Sequence, residues 1–132
     1  MIDQNLRAVV AMQAALRNAD PDTNYMFSTA CDLQGAMSHS KTQFARFDIV
    51  SIGAVTGAGG GKAVRETNTL IANLRTWRFM GKVITYTTDE EFRREQSRKL
   101  ISGLLVTALI YDDEFFVEWA KCCVAFAEQR VV

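Results

Sequence analysis

One proline, one histidine and three cysteines are all that 132 residues contain of these types, and neither sign of charge is in excess. Each shortage closes off a class of protein. Lys plus Arg equals Asp plus Glu at 15 each, so no global field draws the chain to nucleic acid or to an anionic membrane. The thiols are Cys31 and the adjacent pair Cys122 and Cys123, an odd number without the spacing of a disulfide scaffold. Neighbours in sequence rarely bridge each other, and reduced thiols are expected. A catalytic triad or a metal centre would have to be built on His39, and the scattered cysteines supply no convergent ligand set around it. No catalytic group, metal or cofactor is therefore expected. The longest apolar stretch, Leu100 to Tyr111, is about twelve residues and is interrupted by Ser102, Gly103 and Thr107, against the ~20 that a spanning helix needs. The opening MIDQNLRAVV has Asp3 ahead of any basic residue and reads as neither secretory signal nor anchor. A single domain over residues 1–132 is expected, long enough to bury a core without crosslinks.

What is present is hydrophobic periodicity. From Asp3 to Asn18 the residues Leu6, Val9, Val10 and Leu16 recur at helical spacing, with Asp3 placed to cap the first turn. That helix ends at Asn18-Ala19-Asp20-Pro21-Asp22, where proline forbids continuation and the Asn and Asp side chains favour turns. Residues Tyr25 to Ala30 suit a short strand, and Gly35 to Lys41 a loop. FARFDIVSIGAV, from Phe44 to Val55, is aromatic and β-branched on both parities and predicts a strand covered on both faces.

Beyond it lies TGAGGGKAVRETNT, with Gly57, Gly59, Gly60 and Gly61 crowded before Lys62. A phosphate-binding Walker loop, G-x-x-x-x-G-K-[ST], would have glycine at Thr56 and a hydroxyl at Ala63, and it would open a helix. The following LIANLRTWRFMGKVITYT, Leu70 to Thr87, reads instead as β. Leu70, Ala72 and Leu74 share one parity, and Trp77, Phe79, Val83 and Thr85 the other. The change of parity calls for a bulge near Asn73 to Arg75 or a tight turn at Met80-Gly81. On that pattern Phe44 to Thr87 forms a sheet ribbon, and the glycines are its compliant tip rather than a phosphate cradle.

At Thr88-Asp89-Glu90-Glu91 the pattern turns helical, with Thr88 and Glu91 spaced as a capping box and acids in the first turn. The stripe Phe92, Ile101, Leu104, Leu105, Ala108 carries that helix to about Ile110. Asp112 or Asp113 then caps a final helix, in which Phe116, Trp119, Ala120, Cys123, Phe126 and Ala127 recur at three and four residues. Both acid clusters are explained by capping. Trp77 and Phe79 read as core. The cations Arg75, Arg78 and Lys82 on the ribbon and Arg94 and Arg98 on the long helix form the residues that could meet a phosphate backbone, although Glu90, Glu91 and Glu95 are interspersed with them.

The expected fold is thus α+β, a mainly antiparallel sheet with a long glycine-tipped β-ribbon packed by two or three helices. This order of elements, with a strand ending Val83-Ile84-Thr85-Tyr86-Thr87 followed by Thr88-Asp89-Glu90-Glu91 at a helix start, resembles the neck proteins of tailed bacteriophages, the tail terminators and head–tail joining proteins. The resemblance covers about residues 44 to 105. It implies a non-enzymatic virion protein, assembled in the host cytoplasm as a homo-oligomeric ring, commonly a hexamer, between connector and tail tube. It also implies an arm, Gly57, Gly59, Gly60, Gly61, Lys62 and Arg65, reaching a neighbouring subunit, contacts with neck and tail-tube proteins, and passage of DNA past Arg75, Arg78, Lys82, Arg94 and Arg98. No membrane partner is implied. The helical pattern of Phe115 to Arg130 departs from that family, whose members often finish in strands. The alternative is a small soluble binding or regulatory protein that contacts nucleic acid or a host protein through its basic residues.

Overall fold

The computed structural model describes residues 1–2, 6–29, 41–53, 60–91, 93–94 and 105–131. Four helices and three strands are defined there: α1 (Leu6–Ala19), α2 (Lys41–Phe44), β1 (Ile49–Gly53), α3 (Gly60–Thr76), β2 (Lys82–Thr87), β3 (Leu105–Ile110) and α4 (Phe115–Val131). Residues 90–91 and 93–94 are helical as well. The sheet has the order β1-β2-β3 and every pairing is parallel, Ile49 opposite Lys82 and Lys82 opposite Leu105. Ile2 adds one further parallel bridge on the outer side of β1: its N–H donates to the Ser51 carbonyl and its carbonyl accepts from the Gly53 N–H, both at 2.8 Å.

A parallel sheet needs both faces covered, and here each strand divides its side chains between two cores. Val50, Ile52 and Val83 meet Leu70, Ile71 and Leu74 of α3, together with Ile2, Phe44 and Phe79. On the other face Ile84 and Tyr86 meet Met12 and Leu16 of α1 and Phe115, Trp119, Ala120 and Cys123 of α4. β2 lies in the centre, and five of its six residues are buried. β3 is partly exposed along its whole length.

The antiparallel ribbon is not there. Residues 60–76, expected to run as β through a glycine tip, form a 17-residue helix. Thr67, Leu70, Ile71 and Leu74 are buried while Ala72 is exposed, which is the i, i+3, i+4, i+7 pattern of one helix face. The shared parity of Leu70 and Leu74 fits both periods, and the apparent need for a bulge at Asn73 to Arg75 was the mark of the 3.6-residue one. A helix here also dictates parallel pairing, because α3 returns the chain by about 25 Å and lets β2 start beside the start of β1. The alternative tight turn at Met80-Gly81 is absent too: Gly81 leads straight into β2.

The end of α3 follows from its own hydrogen bonds. The Phe79 N–H reaches back to the Leu74 carbonyl and the Arg78 N–H to the Arg75 carbonyl, both at 3.0 Å, with Arg78 at φ 56°. This is the six-residue Schellman closure, with Phe79 and Leu74 packed in one core as its apolar contact.

The helix expected from Asp89 to Ile110 is also corrected. It starts near Glu90, but Leu105–Ile110 is a strand in register with β2. LVTALI is a short apolar run, and such a run fits a buried helix and a buried strand equally well until a partner strand selects one. Tyr25 to Thr29 contains no strand, and Phe44 closes a short helix instead of opening β1. The outer helices are where the periodicity puts them. α1 stops at Ala19 before Pro21, and α4 starts after Asp112, whose carboxylate accepts the Glu114 N–H at 3.0 Å. Val10, counted in the α1 stripe, is 65 % exposed, and Met12 takes its place in the core. Asp3, Cys31, His39 and Phe92 lie outside the described residues.

Candidate functional site

Parallel strands deliver their outgoing segments to one edge, and in open sheets of this kind ligands settle outside the carboxyl ends of the strands. Three such segments meet that edge here. β1 leads through residues 54–59 into the first turn of α3, which consists of Gly60, Gly61 and Lys62. β2 leaves through Thr87, Thr88 and Asp89, and β3 through Tyr111 and Asp112. The last two are tied together, since the Tyr111 N–H donates to the Thr87 carbonyl at 2.7 Å. The Thr87 side chain accepts the Asp89 N–H at 3.0 Å, and the Asp89 carboxylate accepts the Glu91 N–H at 3.0 Å. Tyr86, Tyr111 and Phe115 pack against one another beneath this corner, with ring centroids 4.7 to 6.1 Å apart.

The edge is acidic on the β2 and β3 side. Asp89, Glu91, Asp112, Asp113 and Glu114 are all exposed. Glu90 is engaged by Arg93 and, at 3.4 Å, by Arg94, and the Arg93 guanidinium holds its carboxyl below the usual range. No group of three or more His, Cys, Asp and Glu is arranged to hold a metal ion among the described residues.

The residues expected to form an arm therefore stand elsewhere. Gly60, Gly61, Lys62 and Arg65 belong to the first turns of α3, and Gly57 and Gly59 lie outside the described residues. The expected DNA-facing set is divided between two ends of the sheet. Arg94 sits by the carboxyl edge, whereas Arg75, Arg78 and Lys82 sit at the amino edge, where α3 ends and β2 begins. Arg98 lies outside the described residues. Sequence reasoning missed the convergence of Asp89 and Asp112, which it explained as acids of two helix starts. Capping is what their carboxylates do locally, and only parallel pairing brings them to one edge.

Away from that edge, a concavity of about 650 Å³ lies along the amino half of β1 between Thr23–Thr29 and α4. Its wall includes Tyr25, Phe27, Phe47, Trp119 and Phe126. At its base the Trp119 indole N–H donates to Ser51 Oγ at 3.0 Å. Cys123 borders it, and burial pushes this thiol up to about 12, with Cys122 beside it adding to the shift; burial also raises Cys122. Folded chains should thus leave Cys123 unmodified by a thiol-exchange reagent at pH 8, whereas urea-unfolded chains should react fully. The linked effect on stability has a fixed sign. The folded-state thiol pKa is the higher one, so this contribution is complete below about 9 and falls away as pH rises toward 12. Equilibrium unfolding followed between pH 8 and 11 checks it.

Comparison of the chain with protein-family models, with curated proteins and with solved structures gives no match.

Proposed function

We propose that this protein binds a small phosphate-bearing ligand, accompanied by a divalent cation, at the carboxyl edge of its parallel sheet. One observation carries the reading: Gly60 and Gly61 open α3 on the way out of β1, and α3 returns the chain to a parallel β2. A phosphate cradle requires this strand-to-helix setting, in which glycines allow close backbone approach and the first helical N–H groups point at an anion. Thr56 and Ala63 still depart from the Walker pattern, so the reading rests on the setting and not on that motif. The exposed carboxylates at the ends of β2 and β3 would repel a bare anion, and Asp89 and Asp112 suit a phosphate delivered with magnesium.

The test is a thermal-shift and calorimetric titration with ATP, GTP and pyrophosphate, each with and without magnesium. Ligand at a hundred times its Kd should stabilise the fold by about 2.7 kcal/mol. Lys62→Ala and Gly59→Val should each weaken binding at least tenfold without lowering Tm in the absence of ligand. If none of these ligands shifts Tm at millimolar concentration, the reading fails.

A second reading is self-assembly, and the edge strand favours it. β3 is LVTALI, uncharged, with Leu105 56 % exposed, and no strand among the described residues pairs beyond it. Uncharged apolar edges are templates for pairing with another chain. A ring-forming neck subunit remains a proposal on this footing alone, because the ribbon on which the phage resemblance drew is replaced by a helical crossover. Light scattering separates the two readings: a ring would be seen without added ligand, and its loss in Thr107→Lys would assign it to β3.

A further inference from the structure

The amino edge of the sheet carries the opposite charge. Two loops are locked together there. The Asp48 carbonyl accepts the Lys82 N–H at 2.9 Å, the Phe44 and Trp77 rings lie 5.6 Å apart, and Phe44 also packs edge-on to Phe47. From these loops and the last turn of α3 project Arg46, Arg75 and Arg78, all exposed, with Met80 85 % exposed among them. Asp48 is the one carboxylate in residues 43–53 and 70–82. Lys82 joins the edge from the other side, close enough to Cys122 of α4 to lower its thiol pKa in part. Asp20 follows α1 and accepts the Tyr25 hydroxyl, and Glu128 lies within α4, the two helices that cover the face opposite α3.

Arg78 is the telling member. Its φ of 56° is the only left-handed backbone outside glycine among the described residues, and it occupies the C′ position of α3, where glycine is the residue of least strain. A residue with a Cβ in that conformation carries a stability cost that glycine avoids. Capping by itself does not call for an arginine, since the backbone makes both capping bonds. The side chain is what glycine would lack. It stands exposed on the same edge as the exposed Arg46 and Arg75.

We infer that Arg46, Arg75 and Arg78 form a contact surface for a nucleic-acid phosphate backbone, with the strained Arg78 retained for that contact. Guanidinium groups suit phosphate oxygens through their planar fork, and phosphate contacts carry no sequence information, so binding without sequence preference is expected. This surface is remote from the carboxyl edge and does not depend on the ligand proposed there.

Fluorescence anisotropy with a labelled 20-base-pair DNA duplex, in a series from low to moderate salt, tests it. Three phosphate contacts predict a slope of log K against log salt of roughly −3. Arg75→Gln and Arg78→Gly should each bring that slope closer to zero by about one. Arg78→Gly should at the same time raise Tm by about 3 °C, because it relieves the backbone while removing the contact. Weaker binding from a more stable protein cannot arise through unfolding. Arg78→Gly that binds DNA as the parent does would overturn the inference. So would the absence of salt-dependent binding at low salt, or equal binding to polyglutamate, which would mark the surface as one for acidic protein.

Discussion

Trp119→Ala is expected to cost about 3–5 kcal/mol, the range for truncating a large buried aromatic and a large part of the roughly 5–15 kcal/mol available to a domain. Trp119 is 2 % exposed and stands in the core that joins β2 to α1 and α4, among Met12, Leu16, Ile84, Tyr86 and Phe115. Truncation leaves a cavity in that cluster. It also orphans the Ser51 hydroxyl, itself 2 % exposed, which accepts the indole N–H across 68 residues of sequence. A buried polar group left without its partner costs about 1–3 kcal/mol. Trp119→Phe keeps most of the volume and loses chiefly that bond, so it should be clearly milder, at about 1–2 kcal/mol. Urea unfolding measures both, and equal midpoints for Trp119→Ala and the parent chain would contradict the packing of α4 on the sheet.

Gly81→Ala is the second large effect, and it depends on a backbone approach. An added Cβ would meet the Asp48 carbonyl oxygen deep inside van der Waals contact, with Phe79 Cζ at 2.5 Å and Cε1 at 2.8 Å. The Phe79 ring is buried in the α3 core and has little room to give way. The carbonyl cannot withdraw freely, because it accepts the Lys82 N–H that begins the pairing of β1 with β2. Relief requires the two strand starts to separate. The expected cost is about 2–4 kcal/mol, as for other overpacked core positions whose neighbours are fixed. Met80→Ala, one residue away and 85 % exposed, should stay within about 0.5 kcal/mol of the parent. Denaturant unfolding of the pair isolates the steric effect from any general sensitivity of the loop, and a mild Gly81→Ala would place Asp48 wrongly.

The legible parts of this fold are those in which one element is sufficient to create the signal. The amphipathic stripe of α4 is carried by Trp119, Ala120, Cys123 and Phe126, and its start by Asp112; the end of α1 is fixed by Pro21. The centre of the chain misled for a physical reason. Leu70, Ala72 and Leu74 alternate as a strand would, and Ile71 is the residue that breaks the tie, buried at 3 % where a half-covered strand would turn it outward. LVTALI similarly becomes a strand because β2 presents Lys82 to Thr87 beside it.

The candidate site shows the same division. The glycine run and the acids at Asp89 and Asp112 were visible as local chemistry, but their likeness to a tip and to caps exhausted what local chemistry could say. The direction of strand pairing decides which residues share an edge, and pairing joins segments far apart in the chain. By itself the sequence determined the balanced charge, the thiol inventory, the two outer helices and the residue types at each turn. The tertiary structure alone decided that β1, β2 and β3 run parallel, and with that choice it sent Gly60, Gly61, Asp89 and Asp112 to one edge and Arg46, Arg75 and Arg78 to the other. The reason is that hydrogen-bond direction between strands is a property of the chain's return path, and a 17-residue helix returns it where a hairpin would have reversed it.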